Sequence, residues 1–466
     1  MTEAGDRASA RRYLSAATGA VTQLAREEAE RLYLRYLALV EDPDAESIRA
    51  RGNFATRVLQ AHGRQAEARD QHLRALSEAR AIGDRRLEGL TLHELGDVHT
   101  ELGCPGEAEE ALSTAVSIGR QIADAHLEGI ASGTLGVLLC QLGRLAEARA
   151  AHDRCLELAR EDGDLQLERT ALGNLAIVLN SSGRPDDARP LLEESRRIAR
   201  EIGDRYGEAI AIGNIAWLQG TPARIARELA YEALPTMREL GIRPKVAWLL
   251  LLIGAQDRLL GDLPEARAHL EEALSLARGG EAPRSEAQAM GLLGAVFASQ
   301  GRLPDAVERL ERSAAIFERI SEPPGEGMMR LRLGRVLQRL GRIAEARAQC
   351  ERGQALCAAA GYRLGEGLGL GCLADQETLE GDPAVAEELA ARGEAILETI
   401  GATPDLGVTL CARARAIHAS GRSAAEVIAR VKDLLRRIAA EQVAQELDLL
   451  EEVEARQQGR VGERVG

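Results

Sequence analysis

The sequence contains almost no lysine. Of its 59 basic residues, only Lys245 and Lys432 are lysines and all others are arginines. Neither lysine follows a glycine, so the phosphate-binding pattern Gly-Lys-Ser/Thr is absent from the chain. This excludes a P-loop nucleotide site, and the bias towards arginine is typical of a GC-rich genome, so we expect a bacterial protein.

Long apolar runs are also lacking. No stretch reaches the roughly 18 apolar residues that a membrane-spanning helix needs. The first residues, MTEAGDRASARR, are polar and charged rather than the apolar core of a signal peptide. We therefore expect a cytoplasmic protein that has no membrane partner.

Cysteines are few, and only 2% of the residues are aromatic. The seven cysteines are scattered and include no Cys-x-x-Cys pair, which favours buried thiols in a reducing compartment over disulfides or a zinc site. The net charge of −14 would repel a phosphate backbone, so we expect no nucleic-acid partner. A local basic patch is still compatible with this balance.

What the sequence does contain is a repeat. Glycines with similar neighbours recur at one constant spacing, apart from a single longer step between Gly183 and Gly261. A period of this size, about 40 residues, indicates a helical or other supersecondary unit that buries its apolar face by stacking on copies of itself. The recurring glycines are Gly63, Gly103, Gly143, Gly183, Gly261, Gly301, Gly341, Gly381 and Gly421.

The unit from Gly163 to Gly203 predicts a helical hairpin. Two apolar runs with helical spacing flank the turn-forming stretch 181–185, in which Gly183 suits a left-handed helix end and Pro185 suits a helix start. Gly-Asp pairs such as 83–84, 163–164 and 203–204 are expected to close one helix and cap the next.

Small residues recur at two positions of each unit, which predicts close contact between the two helices of a hairpin. The first position, in the middle of the first helix, is occupied by Gly96, Gly136, Ala176, Ala216, Gly254, Gly294, Gly334 and Ala374. The second, later in each unit, is occupied by Ala108, Ala148, Ala188, Ala266, Ala306, Ala346 and Ala386.

This pattern resembles the tetratricopeptide repeat. Leu95-Gly96, Gly103 and Ala108 match its signature, and Leu112 and Ala115 match the next two positions. The 40-residue period is similar to that of Leu-Gly-Asn-repeat adaptors, kinesin light chains and bacterial tetratricopeptide regulators. The resemblance implies an all-α fold, an α-solenoid of about ten stacked helical hairpins that forms a right-handed superhelix.

The expected organisation has three parts. Residues 1–45 form a degenerate N-terminal capping hairpin, in which two helical stretches meet near Gly19. This hairpin holds three of the six tyrosines, and its alternative interpretation is a docking surface. Residues 46–440 form the array, with a two-residue deletion near residue 220 that predicts a tighter turn or a shortened helix. Residues 441–466 form a C-terminal capping helix and a tail.

The resemblance implies that the first helices line a concave groove that contacts the ligand. Asn174 and Asn214 occupy the same position in successive units, where their amides are expected either to bind a peptide backbone or to bond a neighbouring helix. Counted from the small position, the peptide- or protein-binding candidates are His93, Glu94, Asp97, Asn174, Asn180, Asn214, Trp217, Trp248, Arg335, Gln338 and Asp375.

An apolar pocket near residues 214–258 is the most specific site prediction. Trp217 and Trp248 are the only tryptophans, and the densest apolar run, Leu249–Ile253, follows the second. Aromatic anchors in grooves often dominate binding energy. The alternative for Trp217 is that it fills the space left by the shortened turn.

The residues that suggest a metal-binding or a dinucleotide-binding motif do not have the spacing that these motifs require. His93 and His99 are too far apart, because a helical zinc motif needs histidines one helical turn from each other. The run Gly365–Gly371 lacks the third glycine of a dinucleotide-binding loop and is not preceded by a strand pattern. We therefore expect no catalytic residue, no metal and no cofactor.

These observations together predict a non-enzymatic scaffold or adaptor that binds a protein or peptide in a concave groove. The alternative is a peptide- or ligand-responsive signalling or transcription regulator, or the sensor arm of a larger signalling ATPase or kinase. In that case the irregular unit near Thr221 would serve as the hinge.

Overall fold

A computed structural model describes residues 2–22, 26–279, 282–401 and 403–437, together with Leu447, Leu450 and Glu451. Over these residues the chain forms 22 α-helices and no strand, which confirms the all-α prediction. The helices are α1 (Thr2–Thr22), α2 (Arg26–Leu37), α3 (Ala45–Phe54), α4 (Gln65–Ala81), α5 (Arg85–Leu102), α6 (Pro105–Gln121), α7 (Ala125–Gln141), α8 (Leu145–Asp162), α9 (Leu165–Ser181), α10 (Pro185–Glu201), α11 (Arg205–Trp217), α12 (Ala223–Glu239), α13 (Arg243–Leu259), α14 (Leu263–Gly279), α15 (Pro283–Ser299), α16 (Leu303–Arg319), α17 (Pro323–Arg339), α18 (Ile343–Ala359), α19 (Arg363–Glu380), α20 (Pro383–Thr399), α21 (Thr403–Ala419) and α22 (Ala425–Arg437).

Consecutive helices pack as hairpins, and consecutive hairpins stack, as a solenoid requires. Odd-numbered helices are the first helices of the hairpins and even-numbered helices are the second. In the first full unit, α3 continues through a π-helical turn (Ala55–Leu59) and a 3-10 turn (Gln60–His62). Most of the predicted C-terminal capping segment, 441–466, lies outside the described residues.

The N-terminal hairpin buries two of its tyrosines. Tyr33 is 1% exposed and Tyr36 is 3% exposed, and the Tyr33 ring centroid lies 5.8 Å from that of Phe54 on α3. Those tyrosines therefore serve the contact with the array rather than an outer docking surface. The sequence placed a helix break near Gly19, which was wrong, because α1 runs through Gly19.

The predicted turns and caps are present. Gly183 has a left-handed φ of 76°, and Pro185 is the first residue of α10. Asp164 caps α9, since its carboxylate accepts a hydrogen bond from the Leu167 amide at 3.0 Å. Gly381 is an exception to the glycine series: its φ is −126°, so this turn does not use a left-handed residue.

The two small positions are where the helices of each hairpin meet. A Cβ on Gly96 would lie 2.3 Å from the Cγ of Leu112, and a Cβ on Gly334 would lie 3.0 Å from the carbonyl oxygen of Ala346. A larger side chain at either glycine would separate the helices. This confirms the prediction of close approach.

α11 is short, with 13 residues where α9 has 17. It ends at Trp217, and the chain then turns towards α12 with the Gln219 amide donating a 2.9 Å hydrogen bond to Oδ1 of Asn180. The two-residue deletion predicts a tighter turn or a shortened helix in this unit, and α11 is the shortened helix.

The array meets itself after one superhelical turn. Three hairpin turns contact three loops of the later half, and the separation in sequence is the same in each case: Gly103 contacts Ile320, Gly143 contacts Ala360 and Gly183 contacts Ile400. A Cβ on any of these glycines would lie 2.3–2.4 Å from the partner side chain. We call this row of contacts the seam.

The seam explains an asymmetry in exposure between equivalent repeat positions. Ile320 and Ile400 end their second helices and are 8% and 1% exposed. Ile122 and Ile202 occupy the same position in the earlier units and are each 37% exposed. The later isoleucines are therefore buried by the preceding superhelical turn, which encloses the interior of the array.

Candidate ligand-binding groove

The first helices face the interior of the superhelix, as the resemblance implied. A cavity of about 670 Å³ is lined by residues of α13, α15, α17, α19 and α21, which are the first helices of five successive hairpins. Leu263, Leu310 and Ile343 of the second helices complete its wall. The cavity therefore follows the concave side of the later half of the array.

The ionisable lining of this cavity is mostly cationic. It comprises one carboxylate, Asp405, and five guanidinium groups, on Arg258, Arg332, Arg335, Arg339 and Arg415. Arg415 donates to both carboxylate oxygens of Asp375, at 2.9 and 3.0 Å, and Arg339 donates to the carbonyl oxygen of Ala298 at 2.9 Å.

Two of these arginines lack an ion pair. Among the described residues, neither Arg258 nor Arg332 has a carboxylate within 4.0 Å. Burial, with Arg332 nearby, lowers the pKa of Arg258 to about 10, and burial also lowers the pKa of Arg332. Burial raises the pKa of Asp405.

Other interior side chains have charges of both signs. Burial raises the pKa of Asp97 and of Glu101, and both carboxyl groups interact with Lys245. The pKa of Lys245 is raised, chiefly by Tyr206. Arg284 forms a 2.9 Å ion pair with Glu322.

Several predicted groove residues bond the neighbouring first helix, which was one of the two roles foreseen for polar groups at these positions. Glu94 accepts from Thr56 at 2.6 Å, and Asp97 accepts from Gln60 at 3.2 Å. The same kind of contact joins His93 to Thr134, Gln338 to Gln376, and Asp375 to Arg415. These side chains help to hold the groove wall together.

The three asparagines differ in their surroundings. Asn174 and Asn214 are half-buried at equivalent positions of α9 and α11. Asn180 is 7% exposed and holds the turn after α11 through Gln219. Asn180 therefore has a structural contact, whereas Asn174 and Asn214 are partly exposed to solvent.

The tryptophans also differ. Trp217 is 47% exposed at the end of α11. Trp248 is half-buried, and its Cη2 lies 2.3 Å from where a Cβ on Gly213 would be, so its indole packs on α11. The run Leu249–Ile253 is at most 2% exposed and belongs to the core. Of the range 214–258, only Arg258 lines the cavity.

Sequence reasoning missed most of the cationic lining. Arg335 and Gln338 were predicted and line the cavity, but Arg258, Arg332, Arg339, Arg415 and Asp405 were not singled out. One signal was present, since Arg415 lies one repeat period after Asp375 and two periods after Arg335. Extending that repeat position by one more unit would have found it.

No set of three side chains able to hold a metal ion occurs among the described residues. Over the same residues, none of the helices combines the length and apolarity needed to cross a membrane.

The chain was compared with solved structures. The Rap conjugation gene regulator of plasmid pLS20, in complex with the Phr* peptide, is 13% identical, with a TM-score of 0.53 over 75% of this chain and 95% of that one. A Rap protein complexed with Competence and Sporulation Factor is 15% identical, with a TM-score of 0.48 over 86% of this chain and 100% of that one. The signal transduction ATPase with a tetratricopeptide repeat sensor from Pyrococcus horikoshii is 16% identical, with a TM-score of 0.45 over 78% of this chain and 56% of that one.

The first of these likenesses supports the solenoid fold. A search of the curated proteins found no match to this chain. Tetratricopeptide repeat patterns match residues 87–161, 167–239, 245–319 and 329–352, which together make up more than half of the sequence. The chain therefore belongs to the tetratricopeptide repeat family.

Proposed function

We propose that this chain is a non-enzymatic scaffold or adaptor of the bacterial cytoplasm, which binds an extended peptide or protein segment inside its superhelix. The observation that carries the proposal is the cavity of about 670 Å³, which five successive first helices line with both apolar and charged side chains. Its size lies within the roughly 300–1,000 Å³ typical of ligand sites.

The proposed contacts lie along the first helices. Asn174 and Asn214 present side-chain amides that suit the backbone of an extended peptide, and Trp217 offers an exposed indole beside them. Arg335 and Gln338 extend the contacts into the cavity. His93, Glu94, Asp97, Trp248 and Asp375 belong to the wall that supports them.

A preformed wall favours binding with little folding cost. The first helices are held by bonds to one another and by the seam, so the array does not have to order itself around the ligand. Most of the conformational entropy lost on binding is then lost by the ligand.

A ligand-responsive regulator is the second candidate. The observation that favours it is the seam, because Gly220, in the irregular turn after α11, lies next to Gly401 of the later superhelical turn. A ligand that spreads the interior would strain this contact and change the pitch. Small-angle scattering separates the two candidates: an adaptor keeps its profile when its partner is added, whereas a regulator changes its radius of gyration.

Affinity capture from a native lysate tests the binding proposal. The bait is the full chain, compared with the variant Asn174→Ala, Asn214→Ala, Trp217→Ala. We expect a protein that the native chain retains and the folded variant loses. A matched control changes Gln121, Glu161 and Tyr231 to alanine, all exposed on second helices, and should retain the partner. Equal capture by all three baits would contradict the groove assignment.

A further inference from the structure

The cationic cavity stands out against the rest of the chain. The whole chain has a net charge of −14, yet the cavity has five guanidinium groups and one carboxylate in its lining. Outside the lining, Asp375 pairs with Arg415. A charge of this sign, enclosed within an acidic protein, needs a physical explanation.

Arginines with little solvent exposure elsewhere in the array are paired in two cases. Arg169 and Arg330, whose side chains are 7% and 11% exposed, lie 3.0 Å from Asp204 and 2.6 Å from Glu326. Pairing of this kind offsets the cost of taking a charge out of water. The half-exposed Arg284 also has a carboxylate partner, Glu322 at 2.9 Å.

Arg258 and Arg332 depart from this pattern. Among the described residues, neither has an ion pair within 4.0 Å, and Nε of Arg258 is buried without a hydrogen-bond partner. Burial and the charges of Arg332 and Arg335 lower the pKa of Arg258, whereas Asp405, which is more than 4.0 Å away, favours the charged form of both Arg258 and Arg332. The unpaired donors and the mutual repulsion would both be relieved by an anion between them.

The surroundings strengthen such an interaction. Leu259, Leu368 and Val408 line the same cavity and reduce the water around the guanidinium groups. Less water means a lower local dielectric and a stronger attraction between unlike charges. The planar guanidinium fork also matches carboxylate and phosphate oxygens in pairs.

We propose that this cavity binds an oxyanionic group, a carboxylate or a phosphate, between Arg258, Arg332 and Arg335. The inference deepens the proposed function and rests on it, because the anionic group is part of the ligand that occupies the groove. The cavity of about 670 Å³ is much larger than one oxyanion, so the remainder of the ligand fills it against the apolar wall.

Calorimetric titration of the full chain tests the proposal with two anionic probes. One is inorganic pyrophosphate, and the other is a tetraglutamate peptide with both ends blocked; a blocked tetra-alanine peptide is the neutral control. We expect at least one anionic probe to bind, with an affinity that falls as salt is raised. The preferred probe identifies the source of the oxyanion, phosphate or carboxylate.

The variant Arg258→Gln, Arg332→Gln should bind that probe about tenfold more weakly or worse, because two charge-assisted contacts are lost. The matched control Arg197→Gln, Arg312→Gln removes the same charge from exposed sites and should bind normally. Thermal denaturation checks for loss of binding through unfolding, and the cavity variant should unfold in one cooperative transition, as the native chain does.

Two results would overturn the inference: no binding of either anionic probe to the native chain, or equal binding to the cavity variant. Lysate capture separates this failure from failure of the proposed function. If the cavity variant and the native chain capture the same partner while Asn174→Ala, Asn214→Ala, Trp217→Ala loses it, the groove function stands and the oxyanion site is wrong.

Discussion

Two histidines show how a single residue can change the behaviour of a repeat. The position that packs against the small residue of the first helix is leucine in four units, at 112, 192, 270 and 310. In two others it is His72 or His152, and both are buried. A Cβ on Gly136 would lie 2.6 Å from the His152 ring, so this ring fills the leucine site.

We predict that His152→Leu removes part of the acid sensitivity of the fold. Burial lowers the pKa of His152 to about 4, against an ordinary value of 6.5. The unfolded chain therefore binds the proton first, so stability is complete above pH 6.5 and falls as the pH drops from 6.5 towards 4. At pH 5 the loss is about 2 kcal/mol for this histidine. Urea unfolding at pH 7.5 and pH 5 measures it.

The reverse substitution is the control. Leu112→His introduces the same group at the same repeat position and should add acid sensitivity. If His152→Leu and the native chain lose the same stability between the two pH values, the histidine is not the cause.

Two asparagines on α9 should have separable roles. Asn180→Ala removes the acceptor of the Gln219 amide and should lower the free energy of unfolding by about 1–2 kcal/mol without changing ligand capture. Asn174→Ala should weaken capture and leave stability nearly unchanged. Urea unfolding and lysate capture on both variants provide the test, and a large stability loss in Asn174→Ala would contradict the assignment.

At this scale the sequence predicted local features better than distant ones. Asp164 as a helix cap follows from a few neighbouring residues, and the structure confirms it. The lack of an ion pair at Arg258 and Arg332 depends on which side chains four other helices bring nearby. That information is spread along the chain from α13 to α21 and has no local signature.

At the scale of the element, the aspartates that begin the first helices combine a helix cap with a link to the preceding unit. Asp204 caps α11 through the Gly207 amide at 2.8 Å and also pairs with Arg169, whose side chain is 7% exposed. Asp124 caps α7 in the same way, but its partner Arg86 is 52% exposed. The two junctions differ in the burial of the arginine and in the residue before the aspartate, which is Gly203 in one and Ala123 in the other.

We therefore predict unequal costs for the same substitution. Asp124→Ala should cost about 1 kcal/mol, the usual loss of a helix cap. Asp204→Ala should cost about 3 kcal/mol or more, because it also leaves Arg169 buried without its carboxylate. Urea denaturation of both variants measures the difference, and equal costs would show that burial of Arg169 contributes nothing.

Element boundaries were predictable where the chemistry of the turn is explicit. Gly183 and Pro185 mark the turn between α9 and α10 correctly. Gly19 does not end a helix, because α1 runs through it and no Cβ contact constrains it. A lone glycine thus predicts less than a glycine followed by a proline.

At the scale of the whole molecule, the seam could not be predicted from the sequence. The repeat period predicts stacking, but not the superhelical pitch, which results from small rotations added over several hairpins. Once the pitch is known, the contact of Gly183 with Ile400 becomes understandable, because glycine alone leaves room for the isoleucine.

Because of the seam, isoleucines at the same repeat position differ in burial, so the same substitution should change stability by different amounts. Ile400→Ser should cost about 3 kcal/mol and increase the radius of gyration, because it removes a side chain that is 1% exposed between superhelical turns. Ile202→Ser changes the same repeat position where it is 37% exposed, so it should cost less than about 1 kcal/mol. Thermal unfolding and small-angle scattering on both variants provide the measurement. Similar behaviour of the two would mean that the seam does not persist in solution.

The central claim is that ligands bind inside the superhelix, along the first helices from α9 to α21. Hydrogen–deuterium exchange on the full chain, with and without the partner recovered by affinity capture, tests it most directly. We predict slower exchange in α9, α11, α13, α15, α17, α19 and α21, and little change in the even-numbered helices between them. Protection confined to the even-numbered helices, or to α1 and α2, would contradict the claim.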